Sequence, residues 1–162
     1  MILMGKKVKA HKSFRSLFEV VQYPEHDERK ESSVFKKTKK RLKKDGHYKC
    51  YICGSTEELQ VHHYGGEWAL SEVLDLNKLK SFLEEWDVYG YGRLLRDVPL
   101  DSVDDVRNAM VLCQEHHTGG MKDGSANGVH NITFPAWISQ KLVKDGKVSV
   151  PDEDEEFDAI KD

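Results

Sequence analysis

The chain has 162 residues, 38% of them hydrophobic and 33% charged, with a formal net charge of −3 at pH 7. That suits one domain with appendages and a modest core, and no apolar run reaches the roughly 20 residues needed to span a bilayer, so no membrane insertion is expected. Three cysteines, two of them three residues apart, do not form a secreted disulfide framework; they suit thiolate ligation of a metal in a reducing compartment, and a cytoplasmic location is expected.

The opening Met1-Ile2-Leu3-Met4 is too short for the apolar region of a signal peptide. Charge is unevenly spread: residues 1–50 hold 15 Lys+Arg against 6 Asp+Glu, a surplus of +9, while the other 112 hold 10 against 22, a balance of −12. The first third can therefore meet a polyanion that the last would repel.

Residues 1–31 lack sustained periodicity and contain Pro24 and a charged stretch, which predicts an extended N-terminal arm. Ser32 or Ser33 can cap a helix on which Val34, Thr38 and Leu42 recur at four-residue spacing with Phe35 alongside, ending at Asp45-Gly46. Two short strands follow around a knuckle, Tyr48–Cys53 and Leu59–His63, and predict a hairpin across Gly54-Ser55-Thr56. Asp75 can cap a second helix with the stripe Leu76, Leu79, Phe82/Leu83 and Trp86, and Gly90 and Gly92 mark its end. This forms a helical insert over residues 71–100. Val106–Leu112 leads to a short helix from Cys113, stopped by Gly119-Gly120; Met121–Gly128 is a loop by composition, and Phe134–Gly146 reads as a helix with Pro135 in its first turn. The segment 151–162, with seven acids and one Lys, is expected to be a disordered acidic tail, leaving 32–150 as the folded domain.

All three cysteines and four of the eight histidines fall in the groups Cys50-x-x-Cys53, His62-His63 and Cys113-x-x-His116-His117. Two residues between ligands let one tight turn aim both at a common centre, so Cys50, Cys53, Cys113 and His116 make a candidate structural Zn2+ site. His62 and His63 end a strand and point to opposite faces, so one can bind a second ion while its neighbour stays free as a base. Neighbours on a helix diverge by about 100°, so with His116 facing the zinc His117 can face that second ion.

Cys-x-x-Cys, a strand ending in His-His, Asn108 five residues before Cys113, and Cys-x-x-His-His together resemble the HNH endonuclease superfamily in its zinc-containing phage and prokaryotic form. The resemblance covers roughly residues 40–132. Gly128-Val129-His130-Asn131 and Pro135-Ala136-Trp137 are also similar to small phage HNH proteins. The resemblance implies an α+β protein with a zinc-stapled ββα-metal core, metal-dependent hydrolysis of DNA, and 5′-phosphate and 3′-hydroxyl products. It implies His62 and His117 as ligands of a catalytic divalent ion (Mn2+, Ni2+, Co2+, Mg2+ or Zn2+), His63 as general base, and Asn108 as the residue orienting the base or its loop. His116 departs from the pattern, where many relatives have Cys, and zinc accepts either set. The 45 positions from His63 to Asn108 also exceed the loop of compact members.

His130 would complete the shell of His62 and His117, although a lone His beyond a Gly-rich loop is ordinarily a hydrogen-bonded structural residue; Asp123 and Asn127 stand as alternatives. His11, His26 and His47 lack partners in the pattern and are expected at the surface. Lys36, Lys37, Lys39, Lys40, Arg41, Lys43 and Lys44 place seven cations within nine residues just before the knuckle, a candidate DNA-phosphate contact. Tyr64, Trp68, Tyr89 and Tyr91 are read as packed aromatics rather than base-stacking ones. The competing readings are a non-catalytic zinc module that binds nucleic acid and a protein-interaction factor acting through the tail. A protein partner that directs cleavage is a further expectation.

Overall fold

In the computed structural model, which describes residues 6–14, 16, 22–119, 128–131 and 138–149, the first regular element begins at the expected cap. Helix α1 spans Ser33–Lys44, and the Ser32 hydroxyl accepts the Phe35 N–H at 3.0 Å. Arg41, Lys43 and Lys44 lie in its last turn, where the exposed carbonyls favour positive charge. The buried seam is Phe35, Thr38 and Leu42. Val34, expected on that seam, is 37% exposed, because Phe35 and Thr38 lie nearer the azimuth of Leu42.

Strand β1, Leu59–His63, pairs antiparallel with β2, Ala109–Cys113, from Leu59 opposite Cys113 to His63 opposite Ala109. The expected hairpin with Tyr48–Cys53 does not form. Those residues make a tight turn, with the Gly54 N–H on the Cys50 carbonyl and the Cys50 N–H on that of Ser55, both 2.8 Å. A backbone folded to aim two sulfurs at one point cannot also run straight as a strand. The turn docks on the sheet through Tyr51 N–H to the Val111 carbonyl, 2.8 Å.

Helix α2, Leu76–Glu85, starts at Asp75, whose carboxylate accepts the N–H groups of Asn77 and Lys78. It ends before the glycines expected to stop it. Gly90 has φ +87°, a left-handed conformation that suits glycine, and it opens the short helix α3, Tyr91–Leu94. Helix α4, Gln114–Thr118, follows β2 directly and stops at Gly119. The expected helix over Phe134–Gly146 is only partly within the described residues, and after Ile138–Ser139 its chain turns away. The backbone of Leu142–Lys144 is instead used to pair with the 73–75 segment, through Asp75 N–H to Leu142 O and Lys144 N–H to Val73 O, both 2.8 Å.

Residues 71–100 are no appendage. Leu74, Leu79, Phe82, Leu83 and Leu100 share one core with Met110, Leu112 and Cys113 of β2, and with Ile138 and Leu142. A smaller core joins Leu42 and Tyr91 to Val106, Ala109 and Val111. Together they bury all five residues of β2. The far end of the insert is tied by the buried Arg107 guanidinium, which donates to the carbonyls of Leu95, Val98 and Pro99 and to the Asp105 carboxylate. The result is a small α+β fold around a two-stranded antiparallel sheet. Among the described residues no helix is long and apolar enough to cross a membrane. The acidic tail, Asp123, Asn127, Pro135 and Trp137 lie outside the described residues.

Candidate metal centres

The knuckle turn and the start of α4 bring Cys50, Cys53, Cys113 and His116 together, with all four ligand atoms within 4.8 Å of one another. The register that sets Cys113 opposite Leu59 at the edge of the sheet fixes one half; the Tyr51–Val111 hydrogen bond fixes the other. Cys53 Sγ lies 3.8 Å from Cys113 Sγ, and His116 Nδ1 lies 3.2 Å from Cys113 Sγ and 3.7 Å from Cys50 Sγ. Tetrahedral zinc with Zn–S near 2.3 Å and Zn–N near 2.1 Å requires separations of roughly 3.6–3.8 Å, so the donors fit the ion in type and two of these separations match it, while the Cys113–His116 pair stands a few tenths of an ångström closer. Burial pushes the Cys50 thiol up, but the N–H groups of Cys113, Cys53 and Ile52 outweigh it and bring the thiol below its ordinary value. Burial and the neighbouring sulfurs push Cys113 up. A bound cation would relieve that crowding by taking the place of protons.

A second group forms from His62 at the end of β1, His117 on α4 and His130 in the 3-10 turn Val129–Asn131, again within 4.8 Å. The Nε2 atoms of His117 and His130 are 2.9 Å apart. Two nitrogens on one octahedral or tetrahedral ion at about 2.1 Å stand roughly 3.0–3.4 Å apart, so the His117–His130 pair is close to ligand spacing, and the group could hold a metal ion. Gln60, two residues before His62 and on the same strand face, pairs its side-chain carbonyl with His117 Nδ1. That pairing leaves Nε2 of His117 for the cluster, as partners of ligand imidazoles do. Burial first, then the neighbouring His117, His130 and His63, push His62 down to about 3, so it stays neutral with its lone pair free. Burial, followed by His130, also lowers His117. Glu67 Oε1 lies 3.5 Å from His62 Nε2, and burial raises its carboxyl to about 7 against the opposing charge of Arg29.

His63 turns to the other face of the strand. Its ring packs 5.5 Å from Phe35, and Nε2 meets Asp104 Oδ1 at 2.7 Å in a buried pair. Asp104 also accepts from Arg29 Nη1 at 2.9 Å and Ser32 Oγ at 2.5 Å. Burial pushes its carboxyl up, but His63, Ser32 and Arg29 outweigh that and hold it at about 2. An ionised carboxylate only accepts, so Nε2 carries a proton, and in the neutral ring the lone pair is on Nδ1.

Asn108 is fully buried and every polar atom of its side chain is engaged. Its Oδ1 accepts from the N–H groups of Gly65 and Gly66, and its Nδ2 donates to the carbonyls of Gly66 and Val103, at 2.8–3.0 Å. Of its two expected tasks, the hydrogen bonds of the Asn108 side chain serve one, holding the loop after β1, and none of them goes to His63. A Cβ on Gly65 would come within 2.9 Å of Asn108 Oδ1, so this approach requires glycine.

On α1, Lys39 pairs with Glu31 at 2.5 Å, Arg41 with Asp45, and Lys43 lies over the Tyr48 ring. Among the described residues Lys36, Lys37, Lys40 and Lys44 make no ion pair; at 100° per residue they form one stripe opposite the buried seam. His47 is not the surface residue expected, since it is half-buried and stacked on Tyr89 at 4.6 Å. Sequence reasoning did not single out Gln60, Glu67, Arg29 or Asp104. Two-residue periodicity from His62 points to Gln60; nothing local separates Asp104 from Asp101 or Asp105. Comparison of the chain with protein-family models, curated proteins and solved structures returns no match.

Proposed function

We propose that the chain is a metal-dependent HNH-type endonuclease that hydrolyses DNA phosphodiester bonds on a zinc-stapled ββα-metal core. The observation that carries this reading is the convergence of three imidazoles from β1, α4 and the Val129–Asn131 turn, next in sequence to a histidine braced by a buried carboxylate. A zinc-stapled binding module needs the cysteine site but has no use for a second ligand set. The order β1, β2, α4, with His62 ending the first strand and His117 on the helix, is the order the ββα-metal reading requires.

A divalent ion held by His62, His117 and His130 would stabilise the charge that grows on the phosphate and on the leaving 3′ oxygen. His63 Nδ1 takes a proton from water as the water oxygen bonds to phosphorus. The P–O3′ bond breaks, and the 3′ oxygen is protonated by solvent, leaving 5′-phosphate and 3′-hydroxyl ends. Asn108 keeps the loop after His63 in place, and Lys36, Lys37, Lys40 and Lys44 offer phosphate contacts without reading sequence. The test is plasmid cleavage across divalent metals. A set of three imidazoles suits manganese, nickel or cobalt better than magnesium, so cleavage is expected to be faster with manganese or nickel. Protein that carries one zinc and binds DNA but cleaves it with none of the metals is a binding module instead.

A further inference from the structure

We propose that Asp104, clamped by Arg29 of the N-terminal arm and by Ser32, is the positioning residue for His63, so that the arm completes the catalytic machinery. This rests on the nuclease reading for its chemistry, though not for its geometry. Asp104 is 1% exposed. Its carboxylate takes three donors, and its main chain is held separately, by Thr38 Oγ1 on the carbonyl at 2.7 Å and by the N–H on Ser102 Oγ at 3.0 Å. The tie between α1 and the segment before β2 is therefore already made by Thr38 on the Asp104 carbonyl. The carboxylate adds a fixed acceptor aimed at His63 Nε2. A buried carboxylate persists only where it is paired and hydrogen-bonded, and Arg29 supplies the compensating charge.

Arg29 is itself held. Its guanidinium sits 4.8 Å from the centre of the Phe35 ring and 4.9 Å from that of Trp68, and the Trp68 indole N–H donates to the Asp27 carbonyl at 3.1 Å. Phe35 also packs on His63. The arm and the loop after β1 thus hold Arg29 against Asp104 and Phe35, the two groups that meet the His63 ring, and the carboxylate fixes its Nε2 side. A base held in one tautomer and orientation loses no time to wrong ones.

The experiment combines cleavage kinetics at saturating manganese with nitrogen-15 NMR of the His63 ring. Asp104→Ala is expected to lower kcat by roughly 10²–10⁴-fold with KM unchanged and both metal sites retained. It should also abolish the slowly exchanging His63 Nε2–H signal present in the wild type. Asp104→Asn, which keeps an acceptor without the charge, is expected to restore part of the rate. If Asp104→Ala does not fold, Arg29→Met decides: it leaves the His63–Asp104 pair in place but loosens it, and kcat should fall roughly 10-fold. Unchanged kcat in either folded variant overturns the proposal, as does a wild-type protein lacking the Nε2–H signal. A wild type that shows the signal and loses it in Asp104→Ala, yet cleaves no DNA, overturns the nuclease reading and leaves the positioning of His63 standing.

Discussion

Two adjacent histidines are set in different surroundings by the two faces of one strand. His62 is buried and neutral beside two other imidazoles; His63 faces a carboxylate. Under the proposed mechanism His63→Ala retains zinc, fold and DNA affinity while cleavage falls by roughly 10²–10⁴-fold, the usual scale for a general base. His62→Ala removes a ligand instead, so excess manganese should recover part of its activity and none of that of His63→Ala. Plasmid-nicking rates with manganese titrated over both variants check this, and equal rates for wild type and His63→Ala would reject the mechanism. Asp104 carries a pH signature. Its folded-state value, about 2, lies below the ordinary 3.8, so the stability it contributes is complete above 3.8 and is lost as pH falls toward 2. Melting curves of wild type and Asp104→Asn should therefore converge as pH drops from about 4 to 2. A constant gap would show that the carboxylate charge contributes nothing.

At the scale of elements, helix α1 divides its cations into two sets. Lys39 and Arg41 are engaged with Glu31 and Asp45, while the stripe of Lys36, Lys40 and Lys44 faces outward. Reversing the charge of Lys36, Lys40 and Lys44 should weaken DNA binding for all sequences alike and flatten its salt dependence, with a slope change of about 0.9 per lost phosphate contact. Zinc content and melting temperature should hold, since none of the three supports the fold. Unaltered affinity in a salt titration would return the stripe to a solvated surface. Both long helices were legible in the sequence because their signals are local: a capping Ser32 or Asp75, then an apolar repeat of three and four. The strand expected at Tyr48–Cys53 does not form: alternation over six residues does not separate a strand from a turn that exposes Tyr51 and Ile52 and buries Cys50.

For the whole molecule, a metal ion in the cysteine site would close a loop of about sixty residues and join the knuckle to the sheet and to α4. Cys50 lies in the main core, so ligation and packing act on the same place. Cys50→Ser should release zinc and unfold or severely destabilise the chain, because the binding energy of a structural zinc is folding energy. Metal analysis alongside thermal melting checks it; a zinc-loaded, well-folded Cys50→Ser protein would remove the assignment.

What the sequence determined by itself is what short spacing can encode. Two ligand pairs at three-residue spacing, two histidines set by strand alternation on opposite faces, a lysine run and two helix caps each involve residues a turn or less apart. The tertiary structure decided what depends on distant partners. It chose β2 rather than the knuckle as the partner of β1, brought His130 to His62 and His117, saturated Asn108 with the glycine loop, and set Asp104 against His63. These pairings join residues far apart in the chain, and an Asp or Gln that serves them carries no periodic mark to distinguish it from its solvated neighbours. The insert over residues 71–100 follows the same logic: its helix could be read from the sequence, but its share of the core arises only when its leucines meet β2.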